Sequence, residues 1–343
     1  MSAPSVSPSR SATSPRRSSV GIVLWAAFLA IMVSQFHSPL FALPGRLQAW
    51  GSLWVAICVQ TLPFLVLGVL VSASIATFVP ASFLGRMTPR NPFWAVPAAG
   101  AAGVALPGCE CSSVPVAASL MRRGVSPAAA LSFLLASPSL NPVVIVSTAV
   151  AFYGLPQMAW ARFAAAVVAV LCAGWLWLIV GDNSTLAEHD ERLGECAPSK
   201  HCAANAATRG EVFRDAALAD FFPAASYLVV GAALAAAVKV IVPAQWFLGL
   251  SDTPWLLIAV MVVLAIVLSL CSEADAFVAA SFTAVSPTAQ LAFLVVGPMV
   301  DFKLIAMQLG AFGRGFVLRF VPVVLLSAIA SACVVGVVFF GGL

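Results

Sequence analysis

Three cysteines and several carboxylates lie in this chain at points where long apolar segments are interrupted. Cys109 and Cys111 are two residues apart in one interruption, and Cys271 precedes Glu273 and Asp275 in another. Thiolates are soft ligands that select soft, thiophilic species. Carboxylates in apolar surroundings commonly carry protons or bind ions. This placement favours a site in which sulfur binds a solute close to carboxylates that exchange protons, while a strained disulfide or plain packing are the alternatives for Cys109 and Cys111.

Two other interruptions each carry a residue suited to starting a new helix. Asn141 is a strong N-cap residue, and Pro142 after it suits the first helical position. Asp301 occupies the matching place in the other interruption, where the positive end of the helix dipole favours a carboxylate. Lys303 then lies in the first turn, an unfavourable place for a cation. We expect Lys303 to pair with a carboxylate such as Asp301, Glu273 or Asp275.

Proline and glycine explain why the helices are interrupted. A proline inside a helix removes one backbone hydrogen bond, and its ring clashes with the preceding turn. The residues that we expect to break or end helices are Pro107, Gly108, Pro115, Pro138, Pro142 and Pro298. If the interruptions converge, the side chains that contact a solute in one cavity are Cys109, Cys111, Cys271 and Asn141.

The composition assigns the chain to the membrane. Of its 343 residues, 62% are apolar and 9% are charged, and the mean hydropathy is +1.03. The apolar runs extend for about 20 residues or more, enough for a helix to cross about 30 Å of hydrocarbon. We expect an all-α polytopic membrane protein, multi-pass in the plasma (inner) membrane and surrounded by the lipid bilayer. The net charge of +4 forms no basic stripe, so no nucleic-acid partner is expected.

The chain contains an internal repeat at an offset of 160 residues. The segment from Val125 to Pro138 matches the segment from Val285 to Pro298 at eight of fourteen positions. Such self-similarity is typical of carriers built from duplicated bundles. We expect two four-helix repeats with broken transmembrane helices plus one extra N-terminal helix. Four crossings in each repeat would make the repeats parallel, whereas an odd number would make them inverted, and both arrangements stay open.

Five segments follow from this pattern. They are a disordered N-terminal tail (1–19), an N-terminal transmembrane helix (20–36), a first transmembrane repeat (52–181), a polar linker (182–215) and a second transmembrane repeat (216–343). The linker contains histidines and cysteines, but their spacing fits no closed zinc site. We expect no metal and no cofactor. The sequence also lacks the nucleotide-binding motif of an ATP-driven pump.

Four motifs at the interruptions resemble those of the ArsP/YraQ-type permease family. They are Cys109-Glu110-Cys111-Ser112-Ser113-Val114-Pro115-Val116, Pro138-Ser139-Leu140-Asn141-Pro142, Cys271-Ser272-Glu273-Ala274-Asp275-Ala276-Phe277 and Gly297-Pro298-Met299-Val300-Asp301-Phe302-Lys303. The resemblance extends over most of the chain, from Leu53 to Phe340. It implies a membrane permease rather than an enzyme, in a family that includes exporters of trivalent organoarsenicals. The family commonly has Ser in the middle of the Cys-x-Cys motif, where this chain has Glu110.

The residues and the resemblance together predict a secondary carrier for a small thiophilic solute. In this hypothesis Cys109, Cys111 and Cys271 bind the solute. The side chains expected to serve proton coupling are Glu273, Asp275, Asp301 and Lys303. Each charge at mid-membrane depth costs about 2.5–3.5 kcal/mol on insertion, which favours a functional role. Three alternatives stay open: a permease for another small solute, a transmembrane thiol redox carrier, and an ion-pair network with a structural role.

Overall fold

The computed structural model describes residues 45–78, 89, 91–105, 110–181, 209–241, 254–282 and 285–342. These residues form twelve helices and contain no β-strand. The all-α class predicted from the sequence is therefore confirmed. The predicted tail and N-terminal helix at 1–36 lie outside the described ranges, as does most of the predicted linker.

The helices follow one another with short connections. In chain order they are α1 (Gly45–Phe78), α2 (Pro92–Ala105), α3 (Glu110–Arg122), α4 (Pro127–Ser139), α5 (Pro142–Ala151), α6 (Gln157–Val180), α7 (Arg209–Ile241), α8 (Pro254–Leu268), α9 (Ala274–Ser281), α10 (Pro287–Val296), α11 (Phe302–Phe312) and α12 (Arg314–Phe340). Because α7 begins at Arg209, the last residues of the predicted linker are helical. The bounds also show short helices in pairs, with α4 and α5, α8 and α9, and α10 and α11 each separated by a brief interruption.

Length and composition make this a multi-pass membrane protein. Five stretches are long and apolar enough to cross a membrane: Leu47–Phe78, Pro127–Ala151, Gln157–Val180, Gly210–Ile241 and Arg314–Phe340. The shortest has 24 residues, and a rise of about 1.5 Å per residue makes it longer than the hydrocarbon core. The second stretch consists of α4 and α5 joined across Asn141. Shorter apolar helices are α8, α10 and α11.

Serine followed by proline starts the two helices at the centre of the bundle, α4 and α10. Pro127 and Pro287 lie in the first turn, where a helix needs no backbone N–H donor. Ser286 Oγ accepts a hydrogen bond from the Ala289 backbone N–H at 3.4 Å. Both helices are buried from their second residue to their last. They therefore form the core around which the longer helices pack.

Helices of the two predicted repeats pack against each other. The long helix α1 packs on α7, and α6 packs on α12. The short helices cross between the repeats, since α3 packs on α11 and α5 packs on α9. Two indole N–H groups fix α1 to α7: Trp50 donates to the carbonyl of Ala233 and Trp54 donates to that of Val229, both at 3.0 Å.

Two glycines let the long helices approach the short helices closely. A Cβ atom at Gly68 of α1 would lie 2.5 Å from Ser112 Cα in α3. A Cβ atom at Gly231 of α7 would lie 2.8 Å from Ala306 Cβ and 3.1 Å from Lys303 Cα in α11. Small residues at helix interfaces allow this kind of backbone approach in membranes. A larger side chain at either glycine would push the short helix away.

Of two prolines predicted to interrupt helices, Pro115 does not, and Pro138 lies one residue before its helix ends. Pro115 lies inside α3, so the predicted break at this residue is wrong. Its missing N–H removes one bond, to the carbonyl of Cys111, and membrane helices tolerate this loss. Pro138 lies in the last turn of α4, and the break begins two residues later. The helix continues past this proline because the Leu140 N–H still donates to the carbonyl of Ala136 at 2.8 Å.

The other predicted breaks have different outcomes. Pro142 is at the start of α5, as expected for a proline that follows an N-cap residue. Pro298 lies in the turn between α10 and α11, where a break was predicted. Pro107 and Gly108 lie outside the described residues, between the end of α2 and the start of α3.

Candidate functional site

Asp301 caps the N-terminus of α11, which confirms the prediction for this residue. Its backbone is extended, with φ −142° and ψ 168°, and Oδ1 accepts a hydrogen bond from the Leu304 N–H at 2.6 Å. The side chain is completely buried. A buried carboxylate at this end of a helix gains from the N–H donor and from the positive end of the dipole. Both interactions hold the Asp301 side chain at the start of α11.

Lys303 pairs with Asp301, which is one of the three carboxylates that we expected as its partner. Its Nζ lies 3.3 Å from Asp301 Oδ2 and donates to the Leu270 carbonyl oxygen at 3.4 Å. Lys303 is 1% exposed and Asp301 is 0% exposed, so the pair has no contact with water. Leu270 belongs to the interruption between α8 and α9, whereas Asp301 ends the interruption between α10 and α11. The ammonium group therefore joins two helix breaks.

Asn141 is the corresponding cap at the start of α5. Its Oδ1 accepts a hydrogen bond from the Val143 N–H at 3.0 Å, and Pro142 follows it at the first helical position. The residue is 3% exposed. The predicted cap is confirmed, and the predicted contact between Asn141 and a solute stays a prediction.

The interruption between α8 and α9 has an unusual backbone. Ser269 has φ of +45°, in the left-handed region that residues other than glycine rarely adopt. The carbonyls after it cannot continue the hydrogen-bond ladder of α8, and two of them accept from buried cations. Lys303 Nζ donates to Leu270, and Arg162 Nη2 donates to Ser272 at 3.1 Å. Cations are favoured near the negative C-terminal end of a helix, so both contacts stabilise the break.

Arg162 is a site residue that the sequence did not identify as one. It lies on α6, is 1% exposed, and its Nη1 donates to Thr148 Oγ1 at 2.7 Å. The sequence showed only that Arg162-Phe163 recurs as Arg319-Phe320 in the second repeat, at an offset of 157 residues rather than 160. Because Arg162 is the sixth residue of its helix, the pattern equally fits an arginine at the membrane surface. The structure places its guanidinium among the predicted proton-coupling residues instead.

Three more carboxylates surround Arg162, two of them predicted to serve proton coupling and the third adjacent to Cys111 in the sequence. Asp275, in the first turn of α9, is 2% exposed, and its Oδ2 accepts no hydrogen bond from the described residues. The carboxylate lies against the neighbouring break, since a Cβ atom at Gly297 would be 2.6 Å from Oδ2. Glu110, the first residue of α3, is 1% exposed. Glu273 is half-buried just before α9. All three interact electrostatically with Arg162.

Two of the three predicted sulfur ligands belong to this cluster. Cys111, on α3, is 1% exposed, and Cys271, in the interruption before α9, is 7% exposed. Both interact electrostatically with the ammonium group of Lys303. Cysteines of both predicted repeats therefore lie within electrostatic range of the same ammonium group. Cys109 lies outside the described residues.

The fully buried charges do not cancel. Among the described residues, the buried carboxylates are Glu110, Asp275 and Asp301, and the buried cations are Arg162 and Lys303. When all are ionised, the negative charges exceed the positive charges by one. An unbalanced charge in an apolar interior is costly, so a proton or a positively charged solute would be stabilised here. Within the described ranges, no three His, Cys, Asp or Glu side chains are grouped closely enough to hold a metal ion.

Helices that cross the membrane and carry buried charges at their breaks are typical of membrane proteins that transport solutes. The breaks and the charges come from different parts of the chain and meet in the bundle interior. The chain belongs to the ArsP_1 family, described as "Predicted permease", whose model matches residues 47–337. The sequence-based prediction of a membrane permease is therefore confirmed.

Two bacterial relatives extend over nearly the same length. The chain is 33% identical to the UPF0718 protein YcgR of Bacillus subtilis (strain 168) over 290 residues, which cover 83% of this chain and 96% of that protein. It is 28% identical to a putative two-component membrane permease complex subunit of Streptococcus mutans over 302 residues, covering 86% and 97% respectively. A bacterial plasma membrane is consistent with these relatives. No solved structure matches the chain significantly.

Proposed function

We propose that this permease is a secondary carrier that exports a small thiophilic solute, such as a trivalent organoarsenical, in exchange for protons. One observation carries the proposal: Lys303 of the buried Asp301–Lys303 pair lies within electrostatic range of Cys111 and Cys271, which belong to different predicted repeats. Cys111 and Cys271 supply soft ligands for the solute. The adjacent carboxylates supply groups that can take up protons. Substrate and proton would then bind within one cluster and influence each other directly.

The arrangement of helices supports transport by alternating access. In carriers built from repeats, one repeat moves against the other around a site near the membrane centre. Here the short helices that follow the breaks pack across the two predicted repeats, α3 on α11 and α5 on α9. A relative movement of the repeats would therefore change the surroundings of the cluster.

Each predicted site residue has a role in this proposal. The solute binds to Cys109, Cys111 and Cys271, with Asn141 at the neighbouring helix end. The proton is carried within the group formed by Glu273, Asp275 and Asp301, and Lys303 balances the charge of Asp301. The caps made by Asn141 and Asp301 hold the two half-helices in position around the site.

A transport assay in inverted membrane vesicles tests the proposal. The vesicles contain the full chain, and the solutes are trivalent methylarsenical, inorganic arsenite, antimonite and an organic thiophile. We expect accumulation of at least one thiophilic solute, and we expect a protonophore to abolish it. If vesicles that contain the permease accumulate no more of any solute than control vesicles, the substrate class is wrong. If accumulation persists with the protonophore, the proton coupling is wrong.

The cysteines provide matched variants for the solute site. Cys111→Ser and Cys271→Ser should each abolish accumulation, because a hydroxyl group is a poor ligand for a thiophilic solute. Cys172→Ser and Cys333→Ser change half-buried cysteines on α6 and α12, and should leave accumulation unchanged. Equal loss in all four variants would show that general packing, rather than solute binding, explains the effect.

The carboxylates are tested by removing charge while preserving shape. The variants are Glu273→Gln, Asp275→Asn and Asp301→Asn, the last combined with Lys303→Met so that no buried cation is left unbalanced. At least one should stop accumulation driven by a pH gradient while solute exchange at equilibrium continues. Asp220→Asn, on α7 and partly exposed, is the control. If pH-driven accumulation survives in every variant, none of these carboxylates carries the coupling proton.

A further inference from the structure

Among the described residues, no carboxylate oxygen lies within 4.0 Å of the buried guanidinium of Arg162. Nη1 and Nη2 donate to Thr148 Oγ1 and to the Ser272 carbonyl, and Nε finds no acceptor among the described residues. The described ion pairs within 4.0 Å do not include Arg162. A fully buried cation that is bonded to neutral oxygens still requires a negative charge nearby. The surrounding carboxylates must supply that charge through space.

Asp275 is the carboxylate best placed to balance Arg162. It makes the largest electrostatic contribution at Arg162, ahead of Glu273 and Glu110. Its Oδ2 is buried without a hydrogen-bond donor among the described residues, and the Nε of Arg162 is buried without an acceptor. Asp301, by contrast, already has the Leu304 N–H at 2.6 Å and Lys303 at 3.3 Å.

We propose that Arg162 is the internal counter-ion of Asp275, and that Asp275 is the carboxylate that takes up the proton. The second half of the proposal rests on the proposed function. Protonation converts the Asp275 carboxylate into a neutral carboxylic acid, and Arg162 remains protonated throughout. Asp301 is not assigned this role, because its oxygens already contact the Leu304 N–H and the Lys303 ammonium group.

The charged groups around Asp275 come from several helices. They are Arg162 on α6, Lys303 and Asp301 on α11, Glu273 beside it in the chain, and Lys239 on α7. Lys303 is already paired with Asp301, and Lys239 lies half-buried near the end of its helix. Arg162 is therefore the cation whose balance depends most directly on Asp275.

The pair also links the two predicted repeats. Arg162 belongs to the first repeat, whereas Ser272 and Asp275 belong to the break of the second. Loss of the negative charge on Asp275 would weaken the attraction across this boundary and leave the contact to the Ser272 carbonyl and the weaker electrostatic contribution of Glu273. A proton would thereby alter the contact between the parts that must move during transport.

Charge-neutralising variants of the full chain, fused to a fluorescent protein, test the pairing. The readout is the monodisperse peak after detergent extraction. Arg162→Gln should reduce this peak by on the order of threefold or more, because Asp275 is left buried and unbalanced. Adding Asp275→Asn should restore most of the peak, whereas adding Asp301→Asn should not. Arg319→Gln, at the matching but exposed position of α12, should leave the peak unchanged.

A pH series separates charge pairing from simple packing. In the Arg162→Gln variant, mildly acidic buffer should recover the peak, because protonation removes the unbalanced charge of Asp275. In the Arg162→Gln/Asp275→Asn double variant, the peak should not depend on pH over the same range. The pairing is refuted if Asp301→Asn rescues as well as Asp275→Asn, or if the single variant shows no acid recovery.

The outcome does not depend on the solute, because the readout is folded protein. Rescue by Asp275→Asn in a protein that transports no thiophilic solute would support the pairing and reject the proposed function. Proton-coupled transport of a thiophilic solute, without rescue by Asp275→Asn, would support the proposed function and reject the pairing. The proton role of Asp275 is tested in vesicles: Asp275→Asn should exchange solute at equilibrium but no longer respond to a pH gradient, and a retained response would overturn that role.

Discussion

The buried Asp301–Lys303 pair leads to a quantitative prediction about two substitutions and their combination. Lys303→Met preserves the length of the side chain but leaves the Asp301 carboxylate without its cation. Asp301→Asn leaves the ammonium without its anion, while the amide oxygen can still accept from the Leu304 N–H and cap α11. Each single substitution therefore removes one charge of a pair whose nitrogen and oxygen are 3.3 Å apart and fully buried.

The expected magnitudes follow from this burial. Removing one partner of a buried ion pair typically costs about 3–5 kcal/mol, because the remaining charge is uncompensated. Replacing both partners by neutral groups is often close to neutral. We therefore expect each single variant to lose about 3–5 kcal/mol of folding free energy and the double variant to lose much less. At roughly 2–4 °C for each kcal/mol, the single variants should melt about 6–20 °C lower.

The melting temperature of each variant is measured on the detergent-extracted protein. The fluorescence of the monodisperse peak that remains after heating gives the folded fraction at each temperature. The double-variant cycle gives the interaction free energy as the departure from additivity. A double variant that melts as low as the sum of the two single losses would refute the reasoning. That result would mean that Asp301 and Lys303 act independently, and that their proximity does not stabilise the fold.

Three further substitutions have expected outcomes in the same melting assay. Asn141→Ala should cost about 0.5–2 kcal/mol through loss of the cap on α5, and Asn141→Ser, which keeps a capping oxygen, should cost less. Gly231→Ala should cost about 1–3 kcal/mol because its Cβ would meet α11, whereas Gly210→Ala, with open space around it, should not destabilise. Arg122→Gln, which breaks the partly exposed pair with Asp220, should cost at most about 1 kcal/mol and less at high salt. A large loss for Gly210→Ala or for Arg122→Gln would contradict the reasoning.

The local parts of the site were predictable from the sequence. Asn141 and Asp301 act on N–H groups two and three residues later, and the preferences for such caps are visible in a short motif. Pairing of Lys303 with a carboxylate was also predictable, and Asp301, which lies within one helical turn of it, was one of three expected partners. The polytopic helical class followed from apolar runs whose length matches the bilayer.

Contacts between distant segments were not predictable. Arg162 donates to Ser272, 110 residues away, and nothing near Arg162 in the sequence distinguishes it from Arg319, which is exposed. Burial of one arginine and exposure of the other result from the packing of α6 and α12 within the bundle. Pro115 is a related case, because a proline shows where one hydrogen bond is missing but not whether neighbouring helices keep the backbone helical.

The two buried cations also differ in when their partners become available during synthesis. Asp301 and Lys303 leave the ribosome almost together, so they can pair before the bundle is complete. Arg162 precedes the carbonyl that accepts from its Nη2 by 110 residues. At typical rates of chain growth this interval is roughly 5–20 s. During that time the guanidinium must rely on water, lipid headgroups or the insertion machinery, so α6 can settle into its final position only after the second half has been made.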